Sequence, residues 1–396
     1  MQNQFNKPGL RGRGAIAVLS MLAIGAALLS GCGSSGGSSS SSGGSATTDG
    51  STSTSGLAPF EKKVAAYFKG TSTAPVGGPV KTEPGKTVWA ISVGQSVEAA
   101  QLTSKAVQEL GKKLGWNVSI YDGKFESSRE LTGIQQAIAA GADGIILEYI
   151  DCDPVKAGLE EAAEAGIPIV GIESKDCAPS LEKNILFAEG ATFEEWIKEI
   201  GESAGAWLVT ETEGDAKAII TEETDATVTS LEAKGAQEEI ENCESCEVLE
   251  TIQFTGTSFN TLQQKIEQAL NQNPEANAFF GNYGAVMTVG GGAAALRASG
   301  RLGDIKSAVG EGSASVIELL RGEEGVDACT GSSVEWEGYE SVTLMARLFA
   351  GQDPSKSNSG IGVQLCDREH NLPPEGKGFE FPIDYVSAYE KILGLK

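Results

Sequence analysis

The sequence predicts an α/β protein with two doubly wound, Rossmann-like lobes, and three observations support this fold class. Short apolar runs alternate with amphipathic runs of helical length from Lys86 onward. Apolar runs without polar alternation are typical of parallel strands that are covered by helices on both faces. The alternation restarts at Phe193, and the chain is long enough for two domains.

The first half of the alternation predicts a parallel sheet whose strands are joined by right-handed crossovers. Asp153 and Pro154 form a typical helix start, and Gly141 is a typical helix end. In chain order we expect a strand at 86–94, a helix at 98–115, a strand at 116–123, a helix at 127–141, a strand at 143–150, a helix at 153–166, and strands at 167–174 and 184–190.

The second half predicts another sheet of the same kind. In chain order we expect a helix at 193–209, a strand at 216–223, a helix at 227–241, a strand at 247–254, a helix at 261–272, a strand at 277–283, a helix at 289–300, a strand at 305–312 and a helix at 313–322. Because ligands of doubly wound sheets bind beyond the carboxyl ends of the strands, a cleft between the lobes is the expected binding site.

The first 85 residues predict export and a flexible attachment. A basic start is followed by an apolar core at 15–30 that is too short to span a bilayer, as in a signal peptide. The residues Leu29-Ser30-Gly31-Cys32 resemble the lipobox of bacterial lipoproteins, in which the cysteine is lipidated. We therefore expect a signal peptide at 1–31, lipidation of Cys32 and a location at the outer face of the cytoplasmic membrane; the alternative is an ordinary secretory signal.

A Ser/Gly-rich tether is predicted at 32–85, because this composition cannot bury enough apolar surface to fold. A short amphipathic helix at 57–69 interrupts it.

The acidic composition excludes one class of partner. The chain has 30 Lys and Arg against 54 Asp and Glu, a formal net charge of −24. A surface of this charge repels nucleic-acid phosphates and anionic headgroups, so we expect no nucleic-acid binding.

Six cysteines remain if Cys32 is lipidated, and their spacing suggests disulfides in an exported protein. Cys152 and Cys177 each follow a predicted strand, so they lie at the same sheet edge and are able to pair. Cys243 and Cys246 would close a very short loop, which leaves Cys329 with Cys366. The alternative for Cys243 and Cys246 is a redox pair, although that chemistry needs the first thiol at a helix N-terminus.

No motif specifies catalysis, a cofactor or a metal. In "EPGKT" the first glycine of a phosphate loop would have to stand where Val80 is, and "VGGGAAAL" lacks the spacing of a dinucleotide loop. His370 is the only histidine, there is no Gly-x-Ser-x-Gly motif, and no second Cys-x-x-Cys supports a zinc site. We expect a binding protein rather than an enzyme; an extracellular hydrolase is the less favoured alternative.

Several longer stretches together carry a family resemblance: "AVQELGKKLGWNVSIYDG", "GIQQAIAAGADGIIL" and "GLEEAAEAGIPIVGI", and later "NPEANAFFGNYGAVMTVGGGAAAL", "AVGEGSASVIELLRGE" and "YESVTLMARLFAG". They resemble the sugar-type solute-binding proteins of bacterial ABC importers, the ribose- and galactose-binding group that shares its fold with LacI-type repressors. Repressors begin with a DNA-binding helix-turn-helix, whereas a signal and tether occupy that place here. The importer branch therefore fits better.

The resemblance implies a type 1 periplasmic binding protein fold with a three-segment hinge. Lobe 1 would comprise 86–188 and 332–353, and lobe 2 would comprise 189–331 and 354–396. The protein would be a monomer that captures a small polar solute, a sugar or sugar-like molecule, and delivers it to a membrane permease and its ATPase. A ligand sensor for chemotaxis or a two-component system would use the same fold.

The resemblance also implies a set of ligand-binding positions in the cleft. They are Gln95, Ser96, Glu98, Glu173, Ser174, Glu222, Asp225, Glu232, Phe254, Asn282, Tyr283, Glu311 and Ser332.

The chain departs from the sugar pattern at three of these places. Ala99 and Ala100 stand where sugar binders commonly stack aromatic rings, and Glu173-Ser174 replaces an Asp-Arg pair. Glu232 replaces an arginine, so the planar forks that recognise hydroxyls or anions are missing. We expect a ligand with a cationic or hydroxyl-rich face that meets Glu173, Glu232 and Glu311, unless these glutamates point to solvent.

Overall fold

The structure is a computed structural model, and it describes residues 56–395. The expected signal peptide and Cys32 lie outside the described residues. The helices are α1 (Ala58–Lys69), α2 (Glu98–Lys113), α3 (Ser127–Ala139), α4 (Cys152–Glu164), α5 (Phe193–Glu211), α6 (Thr227–Glu241), α7 (Phe259–Gln272), α8 (Gly284–Met287), α9 (Gly292–Ala298), α10 (Ala314–Arg321), α11 (Val334–Phe349) and α12 (Tyr385–Ile392). The strands are β1 (Thr87–Ser92), β2 (Asn117–Asp122), β3 (Gly144–Glu148), β4 (Ile169–Ile172), β5 (Lys183–Asn184), β6 (Lys217–Glu223), β7 (Glu247–Phe254), β8 (Ala278–Gly281), β9 (Lys306–Val309), β10 (Ala328–Gly331) and β11 (Gln364–Asp367).

These strands form two sheets, which confirms the predicted fold class. The first sheet is parallel throughout, in the order β2-β1-β3-β4-β5. The second has the order β11-β10-β9-β8-β6-β7 and is parallel except where β11 pairs antiparallel with β10. Every residue of β3, β4 and β8 is buried, as expected for strands covered on both faces.

The strand predicted at 184–190 is wrong over most of its length. β5 has only two residues, and Ala188–Gly190 forms a 3-10 turn in which Glu189 has a φ of 59°. The chain leaves the sheet here because its backbone pairs with residues 359–361 instead: the Ala188 amide donates to the Ile361 carbonyl at 2.8 Å.

The helix predicted at 289–300 is shorter than expected. Gly291 adopts a left-handed conformation at its start, with a φ of 75°, so α9 begins only at Gly292. Left-handed backbone is readily accessible to glycine, and it ends regular helix geometry at that point.

The amphipathic helix predicted at 57–69 is present as α1, and it packs on the protein body together with the part of the predicted tether from 70 to 80. Phe60 and Val64 of α1 are buried in one apolar cluster with residues of α5. The following segment runs beside residues 358–363: the Thr71 amide donates to the Val363 carbonyl at 3.0 Å and the Thr73 amide to the Gly360 carbonyl at 2.8 Å.

The C-terminal helix α12 packs on α11. Tyr389 is fully buried, and its hydroxyl accepts a hydrogen bond at 3.0 Å from the indole of Trp336. Lys113 of α2 forms a 2.9 Å ion pair with Glu390. These contacts join α12 to helices that cover the first sheet, whereas the sequence suggests lobe 2 for residues 354–396. The other lobe boundaries stay predictions.

Three disulfides join the expected pairs of cysteines. They are Cys152–Cys177, Cys243–Cys246 and Cys329–Cys366. Cys329 and Cys366 are direct register partners in the antiparallel pair of β10 and β11. Within residues 56–395, no group of His, Cys, Asp and Glu side chains is arranged to hold a metal ion.

The disulfides should contribute unequally to stability. Replacing Cys152 and Cys177 together with serine is expected to lower the free energy of unfolding by about 2–4 kcal/mol, because the bridge restricts the unfolded chain. The same change at Cys243 and Cys246 should cost less, since that bridge spans a sequence separation of 3 rather than 25. Urea denaturation measures both, and an equal or larger loss for the short loop would contradict this account.

Candidate functional site

A cavity of about 100 Å³ lies between the two sheets, at the carboxyl ends of their strands. Tyr149 and Glu173 enter it directly after β3 and β4. Glu223 enters at the end of β6, and Tyr283 and Glu311 follow β8 and β9. Both sheets therefore supply side chains to one site, in the position expected for ligands of doubly wound sheets.

Three lining residues on the side of the first sheet share an unusual backbone conformation. Phe125, Tyr149 and Glu173 have φ values of 59°, 63° and 47°. Left-handed backbone costs about 1–3 kcal/mol at residues with large side chains, and such strain is found most often at functional sites. Its occurrence after three strands of the same sheet supports this cavity as the functional site.

Carboxyl groups dominate the polar lining. Glu173, Glu223, Glu232 and Glu311 all border the cavity, and no Lys or Arg of the described chain does. Glu232 is only 3% exposed, and its Oε1 atom has no hydrogen-bond partner in the structure. A β-carbon at residue 310 would overlap this oxygen, so glycine is needed at that position.

Hydroxyl groups hold the lining acids in place. The Tyr283 hydroxyl donates to Glu223 Oε2 at 2.5 Å. The Tyr149 hydroxyl lies 2.6 Å from the Thr103 hydroxyl and donates to Glu337 Oε2 at 3.4 Å. Glu337 on α11 is fully buried directly behind the cavity wall.

Burial raises the pKa of these acids. It raises the pKa of Glu173 to about 8 and the pKa of Glu223 and Glu311 to about 7. Burial, and then the charges of Glu173 and Glu311, raise the pKa of Glu232 and of Glu337 well above the ordinary value. Each acid opposes ionisation of the next, so the empty site holds protons at neutral pH.

The rest of the wall is apolar. It includes Val97 and Ala100 at the start of α2, and Trp196 and Ile200 on α5. The Trp196 ring stacks on Phe187 with centroids 4.1 Å apart, and its indole donates to the Gly362 carbonyl at 3.0 Å. This fixed aromatic wall borders the same cavity as the glutamates.

Five of the positions implied by the resemblance are brought together at this cavity: Glu173, Glu232, Tyr283, Glu311 and Ser332. All three expected glutamates border this cavity, and Glu173 and Glu232 are buried; their role as ligand contacts stays a prediction.

Four of the expected positions belong to the second sheet but do not border the cavity, and their side chains contact other residues of the protein. Glu222 faces away because successive residues of a strand point to opposite faces, and its carboxylate accepts from the Gln253 amide at 3.0 Å. Asp225 accepts from the Gly256 amide at 3.1 Å. Phe254 is buried behind Tyr283, and the fully buried Asn282 amide oxygen accepts from the Thr221 hydroxyl at 2.8 Å.

The remaining expected positions lie around the first sheet and are also outside the cavity. The Gln95 amide donates to the Ser92 and Ser104 hydroxyls, so it fixes its own loop, and Ser96 is exposed. The Ser174 hydroxyl donates to Glu182 at 2.9 Å. Glu98 accepts from the Ser315 hydroxyl at 2.5 Å and borders an adjoining groove, which shares Glu311 and Ser332 with the cavity.

Comparisons with known proteins agree with this geometry. A family model described as "Periplasmic binding protein domain" matches residues 91–353. The "Ribose import binding protein RbsB" of Bacillus subtilis (strain 168) is 28% identical over 69 residues, which are 17% of this chain and 23% of that protein. The match therefore spans about a quarter of that relative's length.

Solved structures share the fold. GanP, a glucose-galactose binding protein from Geobacillus stearothermophilus, is 20% identical with a TM-score of 0.62, covering 74% of this chain and 100% of that one. The 5-methylthioribose transporter solute binding protein from Thermotoga lettingae TMO is 18% identical with a TM-score of 0.62, covering 78% of this chain and 93% of that one. Both matches extend over nearly the whole of the other chain.

The raised pKa values predict the pH dependence of stability. The folded protein holds protons on Glu173, Glu223 and Glu311 that the unfolded chain releases above about pH 4.5. The free energy of unfolding of the empty protein should therefore fall as the pH rises from about 5 to about 8, which urea denaturation across this range measures.

Glu311→Gln tests the assignment, because glutamine resembles the protonated acid and does not ionise. The variant should gain stability relative to the wild type as the pH rises, whereas Glu241→Gln, on the exposed face of α6, should follow the wild type. Parallel stability curves for wild type and Glu311→Gln would contradict the prediction.

Proposed function

This chain belongs to the periplasmic binding protein domain family, and we propose that it captures a small polar solute between its two lobes for delivery to an ABC permease. The main support for this proposal is that residues of both sheets line one cavity, so that a solute bound there contacts both lobes at once. Such contacts favour the closed arrangement of the lobes over the open one, which is how binding proteins report occupancy. The role is binding, and no bond is made or broken.

The similar proteins support this assignment. They include a ribose import binding protein, a glucose-galactose binding protein and a binding protein of a 5-methylthioribose transporter. A permease and its cytoplasmic ATPase are the partners that delivery requires. Gly190, with a φ of 83°, lies between β5 and α5, and Gly331 ends β10; both positions would suit a hinge.

The sequence supports attachment to the membrane through a lipid on Cys32. Membership of a periplasmic binding protein family agrees with an exported protein of the cell envelope. In the described part of the chain no helix has both the length and the apolar character to cross a bilayer. A lipidated Cys32 followed by the Ser/Gly-rich tract would hold the binding protein near its permease.

Filling the cavity should abolish solute binding without unfolding the protein. Ala99→Trp places an indole at the cavity wall, where it competes with the solute and with closure. A polar solute that raises the unfolding midpoint of the wild type by mass action should leave that of Ala99→Trp unchanged. Ala163→Trp, on an exposed position of α4, is the matched control and should respond as the wild type does. A solute that raises the midpoint of Ala99→Trp as much as that of the wild type would contradict the cavity as the binding site.

Removal of the lipid-accepting thiol should release the protein. In a bacterial host that processes lipoproteins, the wild type is expected in the membrane fraction and Cys32→Ser in the soluble envelope or culture fraction. Immunoblotting of both fractions measures this. Equal membrane retention of the two proteins would refute the lipid anchor while leaving solute binding intact.

A further inference from the structure

The cavity lining includes one buried hydrogen-bond acceptor that has no partner among the described residues. Glu232 Oε1 is buried without a partner in the described chain, and Glu173 and Glu311 border the same space. A buried carboxyl oxygen without a partner is costly, so its retention at a cavity wall points to a group that arrives with the solute.

Three hydrogen-bond donors at the cavity are, in contrast, already engaged. The Tyr283 hydroxyl donates to Glu223, the Thr229 hydroxyl to the Glu223 carbonyl, and the Trp196 indole to the Gly362 carbonyl. A sugar hydroxyl both donates and accepts, whereas a protonated amine only donates, so carboxylate oxygens can serve the amine at every contact. A ligand whose polar end consists of donors matches this lining.

The charge and shape of the site agree with a donor that carries positive charge. The lining has four carboxyl groups and no Lys or Arg from the described residues, so an anionic solute would be repelled. The rings of Phe125, Tyr149 and Trp196 border the same space as the acids. Aromatic faces attract cations, and the apolar remainder of the wall suits a carbon body.

We propose that the solute is a small organic cation with N–H donors, a protonated amine or guanidine on an apolar carbon body. This inference rests on the proposed solute-binding function and specifies its substrate class. The N–H groups bind the carboxylates of Glu232, Glu173 and Glu311, and the carbon body lies against the aromatic wall. A quaternary ammonium ion has the charge but lacks the donors that the unpartnered oxygen requires.

Matched pairs of probes test the class by isothermal titration at neutral pH. The pairs are cyclohexylamine with cyclohexanol, putrescine with 1,4-butanediol, and D-glucosamine with D-glucose; choline tests the quaternary alternative. In at least one pair the amine should bind about tenfold or more tightly than its neutral partner, as a charge-assisted hydrogen bond implies. The same amine should bind more tightly than choline.

Glu232→Gln and Glu311→Gln should each weaken the binding of that amine about tenfold or more. Glu241→Gln removes one negative charge from the same helix as Glu232 but on its exposed face, and it should bind the amine as the wild type does. Circular dichroism and the unfolding midpoint confirm that each variant is folded. Equal weakening by Glu241→Gln would show a general charge effect and overturn the assignment to the cavity.

The outcomes separate this inference from the proposed function. Binding of D-glucose or another neutral partner as tightly as its amine overturns the cationic class and leaves solute capture standing. Tighter binding of choline than of every amine overturns the requirement for N–H donors. If none of the amines binds, the cationic class falls, whereas solute capture is judged separately by whether any polar solute raises the unfolding midpoint of the wild type but not that of Ala99→Trp.

Discussion

Burial of several glutamates in one cavity, without a basic side chain from the described residues beside them, is the constraint on which the site depends. Carboxylates in a poorly solvated space repel one another, and each is costly to ionise without a counter-charge. The protein meets part of this cost by holding protons and by fixing the acids with tyrosine hydroxyls. One oxygen of Glu232 remains without a partner, which leaves a role for a solute.

The fold places these acids together because parallel strands end at a common edge. Glu173, Glu223 and Glu311 lie at or just after the ends of β4, β6 and β9, in two different sheets. Bringing the sheets together therefore gathers the acids, and separating them would return each acid to water. Solute capture and lobe closure are thus coupled through the same charges. The N-terminal segment after α1, which is hydrogen-bonded along residues 358–363, lies beside the hinge across which this closure would occur.

The sequence predicted the fold well and the site in part. Buried parallel strands leave an apolar signature, so both sheets and the disulfide pairs were foreseeable. Glu173, Glu232 and Glu311 were foreseeable from the family resemblance, since their positions follow strands or replace an arginine.

The resemblance points to Glu222 as a ligand contact, whereas it is Glu223 that borders the cavity. A strand buried on both faces has no polar alternation in its sequence, so the sequence does not show which of its residues point inward. No sequence pattern identifies Trp196 as a cavity residue. Its place in the wall depends on how α5 is positioned when the two lobes come together. The two-residue β5 shows the same limit: long-range pairing with residues 359–361 overrides local apolar character.

The central claim is that the solute supplies the positive charge that the buried glutamates lack. Calorimetric titration of the bound amine in two buffers with different ionisation enthalpies counts the protons exchanged on binding. Because the empty site holds protons on acids such as Glu173 and Glu311 near neutral pH, a cation that enters it must drive their ionisation. The account predicts net release of protons into the buffer near neutral pH. Proton uptake, or binding with no proton exchange, would contradict it.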